Sequence, residues 1–318
     1  MNGAVRGTSA KARWVLRTVL VMACAVGLLV ATSGSALAKK HRHKPKKPTI
    51  TPHTAITKGS TYLALGDSVT FGYEEAQVAP APNYQDASSF LGYPELLGKE
   101  LHVTVVNASC PGETSSSLID DTAQSNGCEN TPTKGNVGYR TLHPLHAHYS
   151  GSQLAFAVGY LKKHHKVRLV SLMIGANDAF VCQETTPDKC STLSEQAGVV
   201  ATVAKNVHTI LAAIRNKAHY RGQIAILNYY SLNYADSPAS QQSELLNNTV
   251  DTAAKPFHVE VADGFGELEA GAAHSGGNSC AAGLLTQLVN APSPCGIHPS
   301  YSGQALLAQA VEKVIHLL

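Results

Sequence analysis

The sequence predicts an α/β fold with three layers, in which helices cover both faces of a parallel sheet. Short apolar segments rich in β-branched residues alternate with longer segments whose apolar residues recur at three- and four-residue intervals, the spacing of amphipathic helices. Because parallel strands need crossover connections, this alternation places helices on both faces. About 260 residues follow the N-terminal region, which fits a single domain, and they contain no internal repeat.

The individual elements follow from the same pattern. We predict strands at residues 61–65, 103–106, 167–174, 224–227 and 258–261. We predict helices at residues 94–101, 153–164, 194–217, 243–254 and 303–317. In open α/β sheets, ligands bind beyond the carboxyl ends of the strands. The chemistry is therefore expected in the residues that follow the strands and in the loop before the last helix.

The first 38 residues predict a secretory signal peptide. Four Lys or Arg residues precede an apolar run at 19–31, which is shorter than the ~20 residues of a spanning helix, and Ala36-Leu-Ala38 offers a cleavage site. A retained anchor and lipidation at Cys24 are the alternatives. Residues 39–58 carry seven Lys or Arg residues with several prolines, which predicts a flexible tether. This tether is either a solvated spacer or an electrostatic attachment to anionic envelope polymers or lipid head groups.

The net charge of +3 conceals an uneven distribution. Residues 59–318, the predicted globular domain, hold 14 basic and 22 acidic residues, a net charge of −8. An acidic domain argues against a nucleic-acid surface. We expect a monomer.

Six cysteines remain beyond the signal peptide, and an even number in an exported chain indicates disulfides. They fall into three local couples, so pairing between neighbours is the simplest arrangement: Cys110–Cys128, Cys182–Cys190 and Cys280–Cys295. A zinc site is the competing interpretation, but the sequence has no Cys-x-x-Cys and no compact Cys/His set. His143, His146 and His148 lie close in sequence without a carboxylate or cysteine beside them, so we expect no metal there.

Three segments offer hydrogen-bond donors at one edge of the sheet. Gly66-Asp-Ser68 follows the first strand, and a serine at a strand-to-helix turn can present its hydroxyl and its own N–H to a substrate, although the same pattern is typical of an ordinary helix N-cap. Gly112 follows the second strand and Asn177 follows the third. Together, the N–H groups of Ser68 and Gly112 and the amide of Asn177 predict an oxyanion hole. A serine nucleophile also needs a base, and His298 lies at the same edge, just before the last helix.

The four segments Gly66-Asp-Ser68, Gly112, Gly175-Ala-Asn177-Asp178 and His298-Pro resemble, in order and spacing, the blocks of the SGNH or GDSL hydrolase family of esterases and lipases. The resemblance covers nearly all of residues 61–318 and is closest to secreted actinobacterial enzymes with three local disulfides. It implies a flavodoxin-like sandwich, Ser68 as nucleophile and His298 as base. It also implies an oxyanion hole from Ser68, Gly112 and Asn177, with no metal or organic cofactor.

One position departs from the family pattern. The family usually has an aspartate three residues before the histidine, where it orients the imidazole, but this chain has Cys295. A cysteine tied to Cys280 cannot supply that charge. We therefore predict a Ser68–His298 dyad in which a main-chain carbonyl, that of Cys295 or a neighbour, accepts the Nδ1–H. A carboxylate from elsewhere, such as Asp263, is the alternative. Asp178 is expected to serve as a turn or hydrogen-bonding residue rather than as the acid.

The expected reaction is hydrolysis of lipid or simple acyl esters, for which aromatic residues near the site, Phe71, Tyr73 and Phe180, provide apolar surface. Two alternatives remain open within enzymes: an esterase that removes acetyl groups from polysaccharide, and an acyltransferase. An exported binding module with impaired chemistry is the alternative outside enzymes.

Overall fold

The computed structural model describes residues 55–318, and its centre is a five-stranded parallel sheet. The predicted signal peptide and residues 39–54 of the predicted tether lie outside the described residues. The sheet has the strand order β2-β1-β3-β4-β5, which is the flavodoxin-like order. Its strands are β1 (Thr61–Gly66), β2 (Thr104–Asn107), β3 (Val167–Met173), β4 (Gln223–Leu227) and β5 (Glu260–Ala262). The predicted three-layer α/β fold is confirmed.

Ten α-helices connect and cover the strands in the described part of the chain. They are α1 (Ser68–Phe71), α2 (Tyr93–Leu101), α3 (Ser115–Ile119), α4 (Tyr139–Leu142), α5 (Gln153–Lys163), α6 (Ala176–Thr185), α7 (Leu193–Ala212), α8 (Ser237–Ala254), α9 (Gly264–Ala272) and α10 (Tyr301–Glu312). A π-helical turn, Ala213–Lys217, extends α7. Short 3₁₀ turns lie at Ala87–Ser89, Lys255–Phe257 and Ala273–Ser275.

Two apolar cores lie on opposite faces of the sheet. Helices α3, α5, α7 and α8 contribute to one core, and helices α2, α9 and α10 to the other. Strand β3 shows why both faces must be covered, because all its residues except Arg168 are buried. By length and mean hydropathy, Leu193–Lys217 could cross a membrane, but here Val203, Val207 and Ile210 are fully buried in the first core.

A two-stranded antiparallel hairpin stands apart from the main sheet. It pairs β6 (Leu285–Gln287) with β7 (Cys295–Pro299), and the last residues of β7 lead into α10. The hairpin was not predicted, because its two strands are short and the segment between them contains Pro and Ser. It carries His298 toward the carboxyl edge of the main sheet.

The three disulfides pair the cysteines as predicted: Cys110–Cys128, Cys182–Cys190 and Cys280–Cys295. Each bond closes a local loop outside the five-stranded sheet. Cross-links of this kind stabilise a fold by on the order of 2–4 kcal/mol, mainly by restricting the unfolded chain.

Candidate active site

The four residues singled out from the sequence gather around one cavity at the carboxyl edge of the sheet. Ser68, Gly112, Asn177 and His298 all line this cavity, which has a volume of about 550 Å³. They arrive from four separate segments: the starts of α1 and α6, the loop after β2, and strand β7. A cavity of this size is typical of small-molecule sites.

Ser68 is the first residue of α1, directly after β1. Asp67 caps this helix, since its Oδ1 accepts a hydrogen bond of 2.9 Å from the N–H of Val69. The first N–H groups of a helix have no acceptor within the helix, so the N–H of Ser68 is available to a ligand. The N-cap and the nucleophile interpretations of this turn are thus compatible, because Asp67 provides the cap and leaves the Ser68 side chain half-exposed.

Both ring nitrogens of His298 have partners. Nε2 lies 2.9 Å from Oγ of Ser68, and Nδ1 lies 2.8 Å from Oε1 of Glu75. An ionised carboxylate only accepts hydrogen bonds, so Nδ1 carries a hydrogen and donates a hydrogen bond to Glu75. Nε2 is then free to accept the hydroxyl proton of Ser68. The three side chains form a continuous Ser-His-Glu arrangement.

The predicted main-chain partner of Nδ1 is wrong. The carbonyl of Cys295 accepts a hydrogen bond of 2.7 Å from Oγ of Ser293, and the carboxylate of Glu75 occupies the position beside Nδ1. Asp263 is not the partner either, since it caps α9 through the N–H of Gly266 at 2.9 Å. The family usually takes this carboxylate from the position of Cys295, whereas here it comes from the loop after α1.

Glu75 is held by three groups of the hairpin. Besides His298, its Oε1 accepts from the N–H of Ile297 at 3.0 Å, and its Oε2 accepts from Oγ1 of Thr286 at 2.5 Å. A Cβ at Gly296 would lie 2.1 Å from Oε1, so only glycine leaves room for this carboxylate against β7. Burial raises the pKa of Glu75, but the hydrogen bond and charge of His298, followed by Thr286, outweigh it and lower the pKa to about 2. Glu75 therefore stays ionised.

The loop that carries Glu75 is fixed to the same hairpin. The carbonyl of Gln77 accepts from the N–H of Val289 at 2.9 Å, and Val78 forms an antiparallel bridge with Leu288. Sequence reasoning missed Glu75, because it lies 223 positions from His298 and no local motif links the two. The available signal was an acidic pair, Glu74-Glu75, soon after the serine turn, together with a glycine next to Cys295.

Two of the residues predicted as oxyanion donors, Gly112 and Asn177, line the same cavity as Ser68. Gly112 has φ of +82°, and a Cβ there would lie 2.5 Å from the carbonyl of Asn126, so this turn requires glycine. The amide of Asn177 donates to Oδ2 of Asp67 at 3.3 Å, and its carbonyl accepts from Asn126 at 2.9 Å. These two contacts fix the amide plane of Asn177. An amide nitrogen has two hydrogens, so one N–H remains for a ligand.

Asp67 also accepts a hydrogen bond from the hydroxyl of Tyr229. Burial raises the pKa of Asp67 to about 6, although the bonds from Tyr229 and from the Val69 N–H and the charge of His298 oppose this shift. Tyr229 is itself fixed, because its N–H and carbonyl both bond the Asn247 side chain at 2.8 Å. Asp67 therefore couples the serine turn to Asn177.

Asp178 is a hydrogen-bonding residue, as predicted. Its two oxygens accept from the N–H of Ser115 at 2.8 Å and from the hydroxyl of Ser115 at 2.6 Å. These bonds tie α6 to α3, beside the loop that presents Gly112.

The cavity has an apolar wall built by α6, α7 and α8. Among its lining residues are Phe180, Val199, Val200, Leu245 and Leu246. The sequence expectation was partly wrong here. Tyr73 and Phe180 line the cavity, but Phe71 is fully buried in a separate aromatic cluster with Phe90 and Tyr139.

Within the described residues, one group could hold a metal by geometry: Cys110, Glu113 and Cys128. Both cysteines are in a disulfide, so their sulfurs are not thiolate ligands. The histidine cluster has protein contacts instead, with His146 bonded to the carbonyl of Phe71 at 3.0 Å and His143 to Gln85 at 3.2 Å.

The arrangement can perform acyl transfer to and from a serine. It combines a hydroxyl next to an imidazole, a carboxylate behind the imidazole and converging N–H donors beside an apolar cavity. These features define an α/β serine hydrolase.

The comparison with family models identifies the family to which this hydrolase belongs. The model of the GDSL-like lipase/acylhydrolase family matches residues 64–306, so the chain belongs to this family. A search of curated proteins found no match.

Three of the solved structures to which this chain is similar are as follows. A GDSL-like lipase from Parabacteroides merdae, described as putative, has 16% identity and a TM-score of 0.50, covering 82% of this chain and 98% of its own. Phospholipase A1 from Streptomyces albidoflavus has 17% identity and a TM-score of 0.50, covering 80% and 99%. A catalytic mutant of the acetylxylan esterase Axe2 from Geobacillus stearothermophilus has 16% identity and a TM-score of 0.49, covering 83% and 97%. The first two similarities show a shared fold.

Proposed function

We propose that this protein is a secreted serine esterase that hydrolyses carboxylic esters of apolar acyl chains. The observation that carries the proposal is the pair of hydrogen bonds on His298, one to Ser68 and one to Glu75. Family membership supports hydrolysis of carboxylic esters as the reaction class.

In the proposed mechanism, Oγ of Ser68 attacks the acyl carbonyl while Nε2 of His298 accepts its proton. Glu75 holds the Nδ1–H and stabilises the imidazolium that forms. The developing oxyanion is bound by the N–H groups of Ser68 and Gly112 and by the Asn177 amide. His298 then protonates the leaving alcohol. In the second half, it activates a water that releases the acid from Ser68.

The wall of α6, α7 and α8 supports an acyl chain rather than acetyl as the preferred group. Phe180, Val200 and Leu246 offer apolar surface in the same cavity as Ser68. Each buried CH₂ contributes about 0.8 kcal/mol, or roughly four-fold in affinity. An acetyl group would leave most of this surface unused.

Export is part of the proposal. The three disulfides are typical of an oxidising compartment, and the first 38 residues have the composition of a signal peptide, with cleavage expected after Ala38.

The test is hydrolysis of p-nitrophenyl esters from acetate to decanoate by wild type and by Ser68→Ala. We expect kcat/KM of the wild type to rise with chain length and Ser68→Ala to lose at least ~10³-fold on every ester. Wild-type turnover equal to that of Ser68→Ala would favour a binding module. Activity confined to acetate would favour a carbohydrate esterase.

A further inference from the structure

The exposed cations of the domain are concentrated at the amino edge of the sheet, opposite the active site. Every strand of the main sheet is preceded, within six residues, by an exposed Lys or Arg. We call this surface the basic pole and define it by its exposed cations: Lys58, Lys99, Lys162, Lys163, Lys166, Lys217, Arg221 and Lys255.

Hydrogen bonds between neighbouring segments place these cations on one surface. The carbonyl of Lys166 accepts from Thr61 at 2.9 Å, and that of His102 accepts from Gly59 at 3.0 Å. Arg215 links the segments before β4 and β5, because it donates to the carbonyls of Gly222 and His258 at 2.8 and 2.9 Å. The five segments therefore form one continuous surface. Five strands spaced about 4.8 Å apart give it a width of roughly 20 Å.

Few carboxylates neutralise the basic pole. In these segments of the described chain the acidic residues are Glu100 and, at the start of β5, Glu260. None of the eight cations forms an ion pair within the described residues, where the Lys or Arg ion pairs are Arg140–Glu129 and Lys313–Glu267. The carboxyl edge has the opposite sign, with exposed carboxylates at Asp86, Asp120, Glu184, Asp188 and Asp236. The acidic net charge of the domain therefore hides a strongly polarised surface.

Two further observations concern the same pole. The described part of the chain begins here, because Ile56 forms a bridge with Leu317 and accepts a hydrogen bond from Leu318. Leu317 and Leu318 also lie at this pole, since Leu317 bridges Ile56 and the N–H of Leu318 donates to the carbonyl of Ile56. Leu317 and Leu318 are 48% and 79% exposed. Exposed leucines among cations are typical of surfaces that bind a lipid interface.

We propose that the basic pole is a docking surface for anionic lipid head groups. Its cations contact the head-group phosphates, and the two C-terminal leucines contact the acyl boundary. A broad surface fits a membrane plane, and the exposed leucines favour lipid over a soluble polyanion. The active-site cavity lies about 20 Å away, one strand length, and opens on the opposite side. A docked enzyme therefore keeps its site free for esters that arrive from solution. This proposal does not depend on the proposed reaction.

Vesicle sedimentation tests the proposal with the chain from residue 39 onward. The vesicles are phosphatidylcholine alone or phosphatidylcholine with one third phosphatidylglycerol. The test variant is Lys162→Gln/Lys163→Gln/Lys166→Gln. The matched control is Lys134→Gln/Lys189→Gln/Lys205→Gln, three exposed lysines away from the pole whose loss changes the net charge equally. Both variants keep residues 39–54, and cooperative thermal unfolding close to the wild-type Tm verifies that each is folded.

We expect the wild type to bind the anionic vesicles only and to be released as salt rises from about 0.1 M to about 0.5 M. The test variant should bind about 100-fold more weakly, since each cation near an anionic surface contributes roughly five-fold. The control should stay within about three-fold of wild type. Equal losses in both variants, an unchanged test variant, or retention on a dextran sulfate column without vesicle binding would each overturn the proposal.

Discussion

The carboxylate of Glu75 lies 2.8 Å from Nδ1 of His298, while Nε2 of the same ring lies 2.9 Å from Oγ of Ser68. Glu75 follows the first strand, whereas the family usually takes its carboxylate from the loop just before the histidine. Here that loop contributes Cys295, in a disulfide, and Gly296, whose missing side chain provides space for Glu75. The same chemical group therefore reaches the imidazole from a different segment.

Gly296→Ala should impair turnover without a change in any catalytic side chain. The new Cβ would lie 2.1 Å from Oε1 of Glu75, so the carboxylate must move away from His298. We expect kcat to fall by roughly 10- to 100-fold with little change in KM. Gly159→Ala is the control, because a Cβ there meets nothing within 4 Å. A double variant with Glu75→Gln should be no slower than Glu75→Gln alone, and additive losses would contradict a shared cause.

Tyr229→Phe should weaken the oxyanion hole through Asp67. The lost hydroxyl donates to the ionised form of Asp67, so its removal raises the pKa of Asp67 above about 6. Once protonated, Asp67 has no negative charge, so it accepts a weaker hydrogen bond from the Asn177 amide. The charges of His298 and Asp178 also affect the pKa of Asp67, but both residues remain unchanged in the variant.

The predicted signature of Tyr229→Phe is a loss in kcat of roughly ten-fold, the cost of about one hydrogen bond to a charged group. The loss should be greater at about pH 6 than at about pH 8.5, where Asp67 is ionised in both proteins. Tyr234→Phe serves as the control, since its hydroxyl bonds the carbonyl of Phe265 away from the cavity. A loss that is the same at both pH values would speak against a role through Asp67.

Val200→Phe should shorten the preferred acyl chain. Val200 is half-buried in the apolar wall, and a larger ring fills space that the chain would occupy. We expect kcat/KM for the decanoyl ester to fall by at least ~10-fold and that for acetate to stay within about two-fold. Val137→Phe, at an exposed position that does not line the cavity, should change neither value. Equal losses on both esters would place the acyl chain elsewhere.

Glu113→Gln should change the pH dependence of stability. Glu113 is fully buried behind Gly112, where it accepts hydrogen bonds from Ser117 and from Gln153 at 3.0 Å. Burial, together with the charge of Glu129, raises its pKa well above the ordinary value. The unfolded chain therefore loses this proton at lower pH than the folded one, and the stability that Glu113 contributes at low pH is lost as pH rises.

The glutamine cannot ionise, so the difference in Tm between Glu113→Gln and wild type should shift in favour of the variant from about pH 5 to about pH 8. Thermal unfolding measured at both pH values tests this expectation. Glu269→Gln, at an exposed position on α9, is the control and should show no such shift. A constant difference between Glu113→Gln and wild type would contradict the burial argument.

Much of the fold could be predicted, because its main elements have strong periodic patterns. The segments of β1 and β3 are almost entirely buried, and α5 and α7 begin with side-chain caps at Ser152 and Thr192. Helices α6 and α9 were missed. The apolar residues of helix α6 do not recur at helical spacing, and its one buried residue is Asn177, so its sequence lacks an apolar stripe.

The candidate site, like the fold, could be predicted only in part. Ser68, Gly112, Asn177 and His298 follow strands or precede the last helix, so the topology of a parallel sheet brings them to one edge. The partner of His298 depends instead on how an irregular loop pairs with the β6–β7 hairpin. That contact is set by tertiary packing, through Gln77 and Val289, and no periodic pattern encodes it.

In the proposed mechanism, Glu75 orients the imidazole of His298 and stabilises its protonated form. The most direct test of this role is to compare kcat of Glu75→Gln with kcat of Glu74→Gln. Both changes remove one carboxylate from adjacent half-buried positions, but only the Glu75 side chain contacts His298. We predict that Glu75→Gln lowers kcat by roughly 10²- to 10⁴-fold with KM nearly unchanged, and that Glu74→Gln stays within about three-fold of wild type. Wild-type turnover in Glu75→Gln would show that this carboxylate is dispensable and would favour a main-chain carbonyl as the partner of His298.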